Sequence, residues 1–314
     1  MRGSVTYAGQ RRCATLAALT AFGGGCGRIG FDGPGAPDAH VCTAPVRAIP
    51  APPEGPWSAP ALVVELSSPD FEDDPTLTDE LLEIYFQSNR GGTARLWRST
   101  RADAAAPWPA PSPVSELDAY SPNTPKISRD GLRLSFSATD PPTGTAALYV
   151  VTRPDRQSPW GTPTRLDELF SATGDTGGAQ FLDGFGLVFY SNRPGGPGGG
   201  DLWETFLDGA GCATYAPPRP IAGDVNSANS EANAWMRDDG LALAFQTGRA
   251  GGSGNGDIYV ATRASIDEPF GRAVEQIALD SGAVDDDPWM NDAMTTVYFM
   301  STRTGNGELY VATR

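Results

Sequence analysis

Leu132, Leu134 and Phe136 alternate with Arg133 and Ser135, and Leu241, Leu243 and Phe245 alternate with Ala242 and Ala244. A period of two is that of a pleated strand that turns one face to a core. The phrase around these strands recurs five times. It runs as a short strand, an Asp-led turn, an apolar strand ending in Phe, a Gly-rich loop, then Leu or Ile followed by Trp or Tyr. The anchoring residues Phe86, Phe136, Phe189, Phe245 and Phe299 lie 50, 53, 56 and 54 residues apart. A repeat of that length signals a radial or stacked architecture.

Asp130-Gly131, Asp183-Gly184 and Asp239-Gly240 each join two strand-like runs. Asp-Gly is a strong hairpin signal because the turn needs residues that tolerate positive φ. Thr78-Asp79 and Asn291-Asp292 are weaker versions. A third strand follows at Leu96-Trp97, Leu148-Tyr149, Leu202-Trp203, Ile258-Tyr259 and Leu309-Tyr310, and a fourth begins near Trp108, Trp160, Tyr215 and Phe270. Four antiparallel strands per repeat make a propeller blade. The fifth copy ends at Arg314 without its fourth strand, and Pro56-Trp57-Ser58-Ala59-Pro60 mimics Pro107-Trp108-Pro109-Ala110-Pro111. The fold expected is therefore all-β: a five-bladed propeller over residues 57–314, closed by an N-terminal strand within 57–66 that completes the last blade. Closure removes exposed sheet edges.

The N-terminal quarter reads differently. Arg2, Arg11 and Arg12 precede an apolar run from Ala14 to Phe22, and Gly23-Gly24-Gly25-Cys26 follows. A basic start, a short apolar core and small residues at the exit describe a secretory leader over residues 1–25. A run of nine residues is too short to span a bilayer core of about 30 Å. Cys26 after small residues resembles the bacterial lipobox, which implies acylation of Cys26. Gly27 in place of Asp then implies an outer-membrane lipoprotein facing the periplasm or the exterior. The alternative is an ordinary cleaved leader in which Cys26 is incidental. Residues 26–56 are rich in Gly, Pro and Ala without apolar period, the composition of a flexible tether.

Loss of the leader's three arginines takes the net charge from −15 to −18. Such a surface repels phosphate backbones, so nucleic acid is not an expected partner. Lys126 is the one lysine of the chain, a bias read as genome composition. Export makes a disulfide between Cys42 and Cys212 permissible, which would clamp the tether to blade three.

Ser191-Asn192-Arg193-Pro194-Gly195-Gly196 with Asp201-Leu202-Trp203, and Gly248-Arg249 through Asp257-Ile258-Tyr259-Val260, resemble the WD40-like PD40 repeats of TolB-type envelope propellers. The resemblance covers about residues 57–314. It departs in number, since TolB has six such blades, and blades one and two lack the acid before the third strand. It implies a monomeric binding scaffold of the cell envelope, with an envelope protein or polysaccharide as partner and membrane contact through the anchor alone.

The links entering the inner strands carry Glu72-Asp73-Asp74-Pro75, Asp175-Thr176-Gly177-Gly178, Glu231-Ala232-Asn233-Ala234 and Asp285-Asp286-Asp287-Pro288, whereas blade two has Asn123-Thr124. Eight acids are thus expected at one rim of the channel: Glu72, Asp73, Asp74, Asp175, Glu231, Asp285, Asp286 and Asp287. Three readings stay open. Arg90, Arg193, Arg249 and Arg303, at one position of the repeat, pair with rim acids or with Asp201, Asp257 or Glu308. Alternatively Asp73, Asp74, Asp286 and Asp287 hold Ca²⁺, the one cofactor expected, through its six to eight oxygen ligands. The third reading is a propeller glycoside hydrolase, which Asp74-Pro75 and Asp287-Pro288 resemble. That family's order of Asp, Asp and Glu on successive inner strands fails at Asn123 and Thr124. Trp235 and Trp289, beside the rim, are expected either to pack between blades or to stack on a sugar ring. The single histidine, His40, lies in the tether, so no Ser-His-Asp or Cys-His set can be assembled and no catalytic residue is named.

Overall fold

The computed structural model describes residues 49, 51–182, 185–208 and 214–314. The leader, Cys26, Cys42, Cys212 and the Asp183-Gly184 turn lie outside these residues. The described chain forms five antiparallel sheets arranged as a five-bladed β-propeller. Inner strands are Glu72–Leu77, Asn123–Ile127, Thr176–Leu182, Glu231–Met236 and Asp285–Met290 in blades one to five. Blade five takes its outer strand from Ala61–Leu62, with Ala61 opposite Val311 and Leu62 opposite Tyr310.

Closure reproduces the repeat residue by residue. An arginine ending the third strand lies over the aromatic that opens the fourth: Arg101 on Trp108 at 4.0 Å, Arg153 on Trp160 at 4.4 Å and Arg263 on Phe270 at 4.4 Å. Arg314 lies on Trp57 at 4.2 Å, so the two chain ends rebuild the same contact. The five anchoring phenylalanines are fully buried between blades. Each contributes about 1.5–3 kcal/mol by its removal from water.

The hairpin turns share one hydrogen bond, from the fourth residue's N–H to the first residue's carbonyl, in blades one, two, four and five. Gly131 and Gly240 meet its positive φ without cost, whereas Leu81 (φ 62°) and Met294 (φ 52°) occupy the same place in the weaker turns. Met294 is buried and Leu81 packs on the core beside it. Apolar burial there offsets the left-handed backbone.

Candidate functional site

Every inner strand slips register at the same point, between Asp73 and Thr76, Asn123 and Lys126, Gly177 and Gln180, Ala232 and Trp235, and Asp286 and Trp289. A bulge re-aims the side chain at its apex. The apex residues Asp74, Thr124, Gly178, Asn233 and Asp287 all have φ between 45° and 57°. Asp, Asn and Gly tolerate that region; Thr, being β-branched, does not. Thr124 is held there by Ser137 Oγ at 2.8 Å and by the Gly178 N–H, which donates to its hydroxyl at 2.9 Å.

The expected rim of eight acids divides into three staple acids, one exposed acid and four that meet in the channel. Glu72, Glu231 and Asp285 are fully buried and face outward into their own blades. Glu72 accepts from Ser88 Oγ and pairs with Arg90 at 2.9 Å, Glu231 meets Arg249 at 3.5 Å, and Asp285 pairs with Arg303 at 2.6 Å. Each arginine also lies over the blade's Phe and its third-strand aromatic, as Arg90 does on Phe86 and Trp97, both at 5.2 Å. In blade three Arg193 Nη2 donates instead to Thr176 Oγ1 at 3.1 Å. These three acids therefore belong to a repeated staple: ordinary strand alternation turns them from the next residue, and the bulge comes only after that residue. Asp175 is exposed and accepts the Ala146 N–H at 2.7 Å, so it too is away from the channel centre.

Asp73, Asp74, Asp286 and Asp287 do come together in the channel. Asp286 Oδ1 accepts from Asn233 Nδ2 at 3.0 Å and from the Asp287 N–H at 2.8 Å, which ties it to blade four. The group that offers oxygens to a common centre is smaller than the expected quartet: one oxygen each of Asp73, Asp74 and Asp287 lies within 4.8 Å of the others. Asp73 Oδ1 and Asp287 Oδ1 have no hydrogen-bond partner. Half-buried Asp73 and Asp286 with exposed Asn123 form the mouth, and buried Asp74 and Asp287 lie beneath them.

Crowding sets the titration of these groups. Burial, then the charge of Asp74, pushes Asp73 up to about 7, and burial takes Asp286 up to about 6. Burial and the charges of Asp74, Asp73 and Asp286 hold Asp287 well above the usual carboxylate range. Burial also raises Asp74, an effect partly offset by Lys126. Four carboxyls facing one ammonium cannot all ionise cheaply unless a cation joins them.

That ammonium is the residue the sequence reading set aside. Lys126, two residues beyond the blade-two bulge, is 2 % exposed, and its Nζ has no hydrogen-bond partner. The signal was present in the sequence: a lone lysine among arginines, placed on an inner strand. At pH 8 in chelator, Lys126→Met is expected to lose about 2 kcal/mol, as removal of one partner strands the opposite charges. At pH 5, where the carboxyls take up protons, the loss is expected to shrink below about 1 kcal/mol. Urea melts at the two pH values measure the difference.

Below this layer Trp235 and Trp289 line a cavity of about 10 Å³, room for one water at most. They are 2 % and 6 % exposed, so their rings pack in the core and offer no face to a sugar at the mouth. The far end is crossed by Arg129, which pairs with Asp79 at 3.3 Å, Asp238 at 3.2 Å and Asp292. The channel thus carries its carboxylates at one end and the Arg129 cluster at the other.

No protein-family model matches the chain, and no curated protein matches it. In structure it is similar to a thermostable family-43 glycoside hydrolase, with TM-score 0.55 and 10% identity over 79% of this chain and 90% of that one. It is similar as well to the GH62 α-L-arabinofuranosidase catalytic domain of Coprinopsis cinerea, with TM-score 0.54 and 11% identity over 84% and 98%. These are likenesses of fold alone. TolB from Acinetobacter baumannii matches with TM-score 0.49 and 16% identity, and the alignment covers 79% of this chain and 55% of TolB. The chain thus spans about half the length of that TolB.

Proposed function

We propose that this propeller is an exported, lipid-anchored envelope scaffold that captures its ligand at the channel mouth through a calcium ion held by Asp73, Asp74 and Asp287. The reading is carried by three carboxylates within 4.8 Å, two with unpartnered oxygens, of which Asp73 is half-buried. Ca²⁺ binds oxygens at roughly 2.3–2.6 Å, so opposed ligands in its shell stand about 5 Å apart. Its six to eight positions exceed what three side chains fill, which leaves room for ligand oxygens. Carboxylates and diols of an envelope polysaccharide, or acidic side chains of an envelope protein, supply the matching chemistry. Export and anchoring rest on the leader and Cys26.

Binding is favoured over turnover by what stands across the channel. Glycoside hydrolysis needs a second carboxyl on the other side of the reacting sugar. The inner strands of blades two and three present Asn123, Thr124, Lys126, Gly177 and Gly178 there, without an acid.

The test is thermal melting of wild type and Asp74→Asn/Asp287→Asn with chelator, with calcium, and with calcium plus a panel of envelope polysaccharides. Calcium at 100 times its Kd is expected to add about 2.7 kcal/mol, roughly 5–10 °C. A bound polysaccharide should raise the melting point further, and the double variant should lose both gains at this site. Equal shifts in wild type and variant would overturn the reading. Release of arabinose from arabinan by wild type would replace it with hydrolysis, as in the arabinofuranosidase of like fold.

A further inference from the structure

Blade four carries a second group of carboxylates on its outer half. Asp257 opens the third strand (Asp257–Thr262), Glu275 ends the fourth (Val274–Glu275), and Asp280 lies in the turn beyond it. One oxygen from each lies within 4.8 Å of the other two. Asp257 is 1 % exposed, and its Oδ1 has no hydrogen-bond partner. Asp280 Oδ2 is likewise unpartnered, while its Oδ1 accepts the Ile258 N–H at 2.9 Å. Glu275 Oε1 accepts the Ser253 N–H at 2.9 Å and the Ser253 hydroxyl, a contact from the Gly-rich loop. Asp280 and Glu275 are therefore each fixed through one oxygen. Among the described residues none of the three makes an ion pair.

The sibling blades provide an internal control, because register identifies the equivalent positions. Blade one answers its Asp118 with Arg95 at 3.2 Å. Blade three keeps Asp201 but places Pro220 opposite Trp203, and Asn226 Oδ1 accepts the Leu202 N–H at 2.8 Å as Asp280 accepts that of Ile258. Blade five has Glu308, with Leu62 on the outer strand. The fold accordingly forms without three acids at this place, and blade four alone concentrates them.

The Gly-rich loop packs closely on the segment that follows Asp280. A Cβ built at Gly254 would stand 3.1 Å from Asp257 Oδ1, 2.9 Å from the Ser281 carbonyl and 2.3 Å from that of Ala283. Glycine lets the loop backbone lie directly on the 281–283 segment, as Gly198 does against Ser227 and Asn229 in blade three. Burial pushes Asp280 up to about 7, and burial with the Glu275 charge raises Asp257, so the ionised cluster is costly unless a cation neutralises it.

We propose that Asp257, Glu275 and Asp280 form a calcium site that ties the Gly-rich loop of residues 251–256 to the outer strand of blade four. Ca²⁺ is favoured over Mg²⁺ because three carboxylates in irregular geometry suit the larger, more tolerant ion. Half-buried Glu275 and Asp280 leave it a way in from solvent.

The test is calorimetric titration of the full chain with CaCl₂, and separately MgCl₂, in the Asp74→Asn/Asp287→Asn background. That background leaves one carboxylate of the channel triad, so the outcome is independent of the channel reading. One calcium is expected per chain, with Kd roughly 10⁻⁴–10⁻³ M as in extracellular modules, and weaker magnesium binding. Adding Asp280→Asn and Glu275→Gln is expected to weaken calcium at least about tenfold; Asn is the residue blade three already uses at this position. Calcium should also protect the 251–256 loop from limited proteolysis before these changes and not after them. Absence of saturable calcium binding in Asp74→Asn/Asp287→Asn, or binding and protection unchanged by the added pair, overturns the proposal.

Discussion

Asp287→Asn is expected to raise the melting temperature in chelator at pH 8 by roughly 4–8 °C, equivalent to about 2 kcal/mol for a domain of this size. Asparagine suits the backbone, since Asn233 holds the same bulge position in blade four at φ 55° and Asp287 sits at 52°. What the change removes is a carboxyl that burial and three acidic neighbours hold well above its ordinary range. The sign follows from linkage. An acid whose folded pKa exceeds its unfolded value binds its proton more tightly in the folded state. Stability from that group is full below about pH 4 and is lost as pH rises to the folded value. Asp73 at about 7 and Asp286 at about 6 place the decline between about pH 4 and 7. Wild type in chelator is therefore expected to melt lower at pH 8 than at pH 5. Calcium should flatten the slope, and Asp287→Asn should reduce both the slope and the response to calcium. A variant that melts at or below wild type at pH 8, with an unchanged slope, would show that the channel acids are not strained.

Arg303→Ala is expected to cost about 3–5 kcal/mol, the range for leaving one member of a buried ion pair alone. Asp285 is fully buried, and Arg303 Nη2 reaches its Oδ1 at 2.6 Å. The guanidinium also spans Phe299 and Tyr310 at 5.3 and 4.8 Å, so packing is lost with the charge. Blade three shows how the pair can be replaced: Thr176 meets Arg193 there through a hydroxyl. In an Asp285→Thr background the cost of Arg303→Ala is expected to fall to about 1–2 kcal/mol, because no buried charge remains stranded. Denaturant melts of wild type, the two single variants and the double variant give the coupling. A coupling near zero would return the staple to packing alone.

Blade count, strand order and ring closure were legible because each rests on local chemistry written five times. The Phe anchors, the paired glycine turns at Gly131 and Gly240, and Trp57 in the role of Trp108 all occupy the places that the repeat assigns. A period-two pattern states which side chains point inward, and five unequal copies state how often. Which rim acids pair with arginines and which meet in the channel was not legible, for a physical reason. Inspection of the links treats Glu72, Asp73 and Asp74 as one acidic run, but a bulge follows the first two and reverses the alternation of faces. Glu72 then turns to Arg90 while Asp73 and Asp74 turn to the channel.

The sequence by itself determined the propeller, its closure and the residue types available, because backbone alternation and turn chemistry act between neighbours in the chain. Only the tertiary structure decided which acids share a centre. Asp74 and Asp287 are 213 positions apart in the chain and meet because the ring closes, with Lys126 beside them from a third blade. Asp257, Glu275 and Asp280 meet because the turn after the outer strand folds back on the third strand. Charge clustering depends on distances of a few ångströms across separate strands, and no pattern along one strand encodes them.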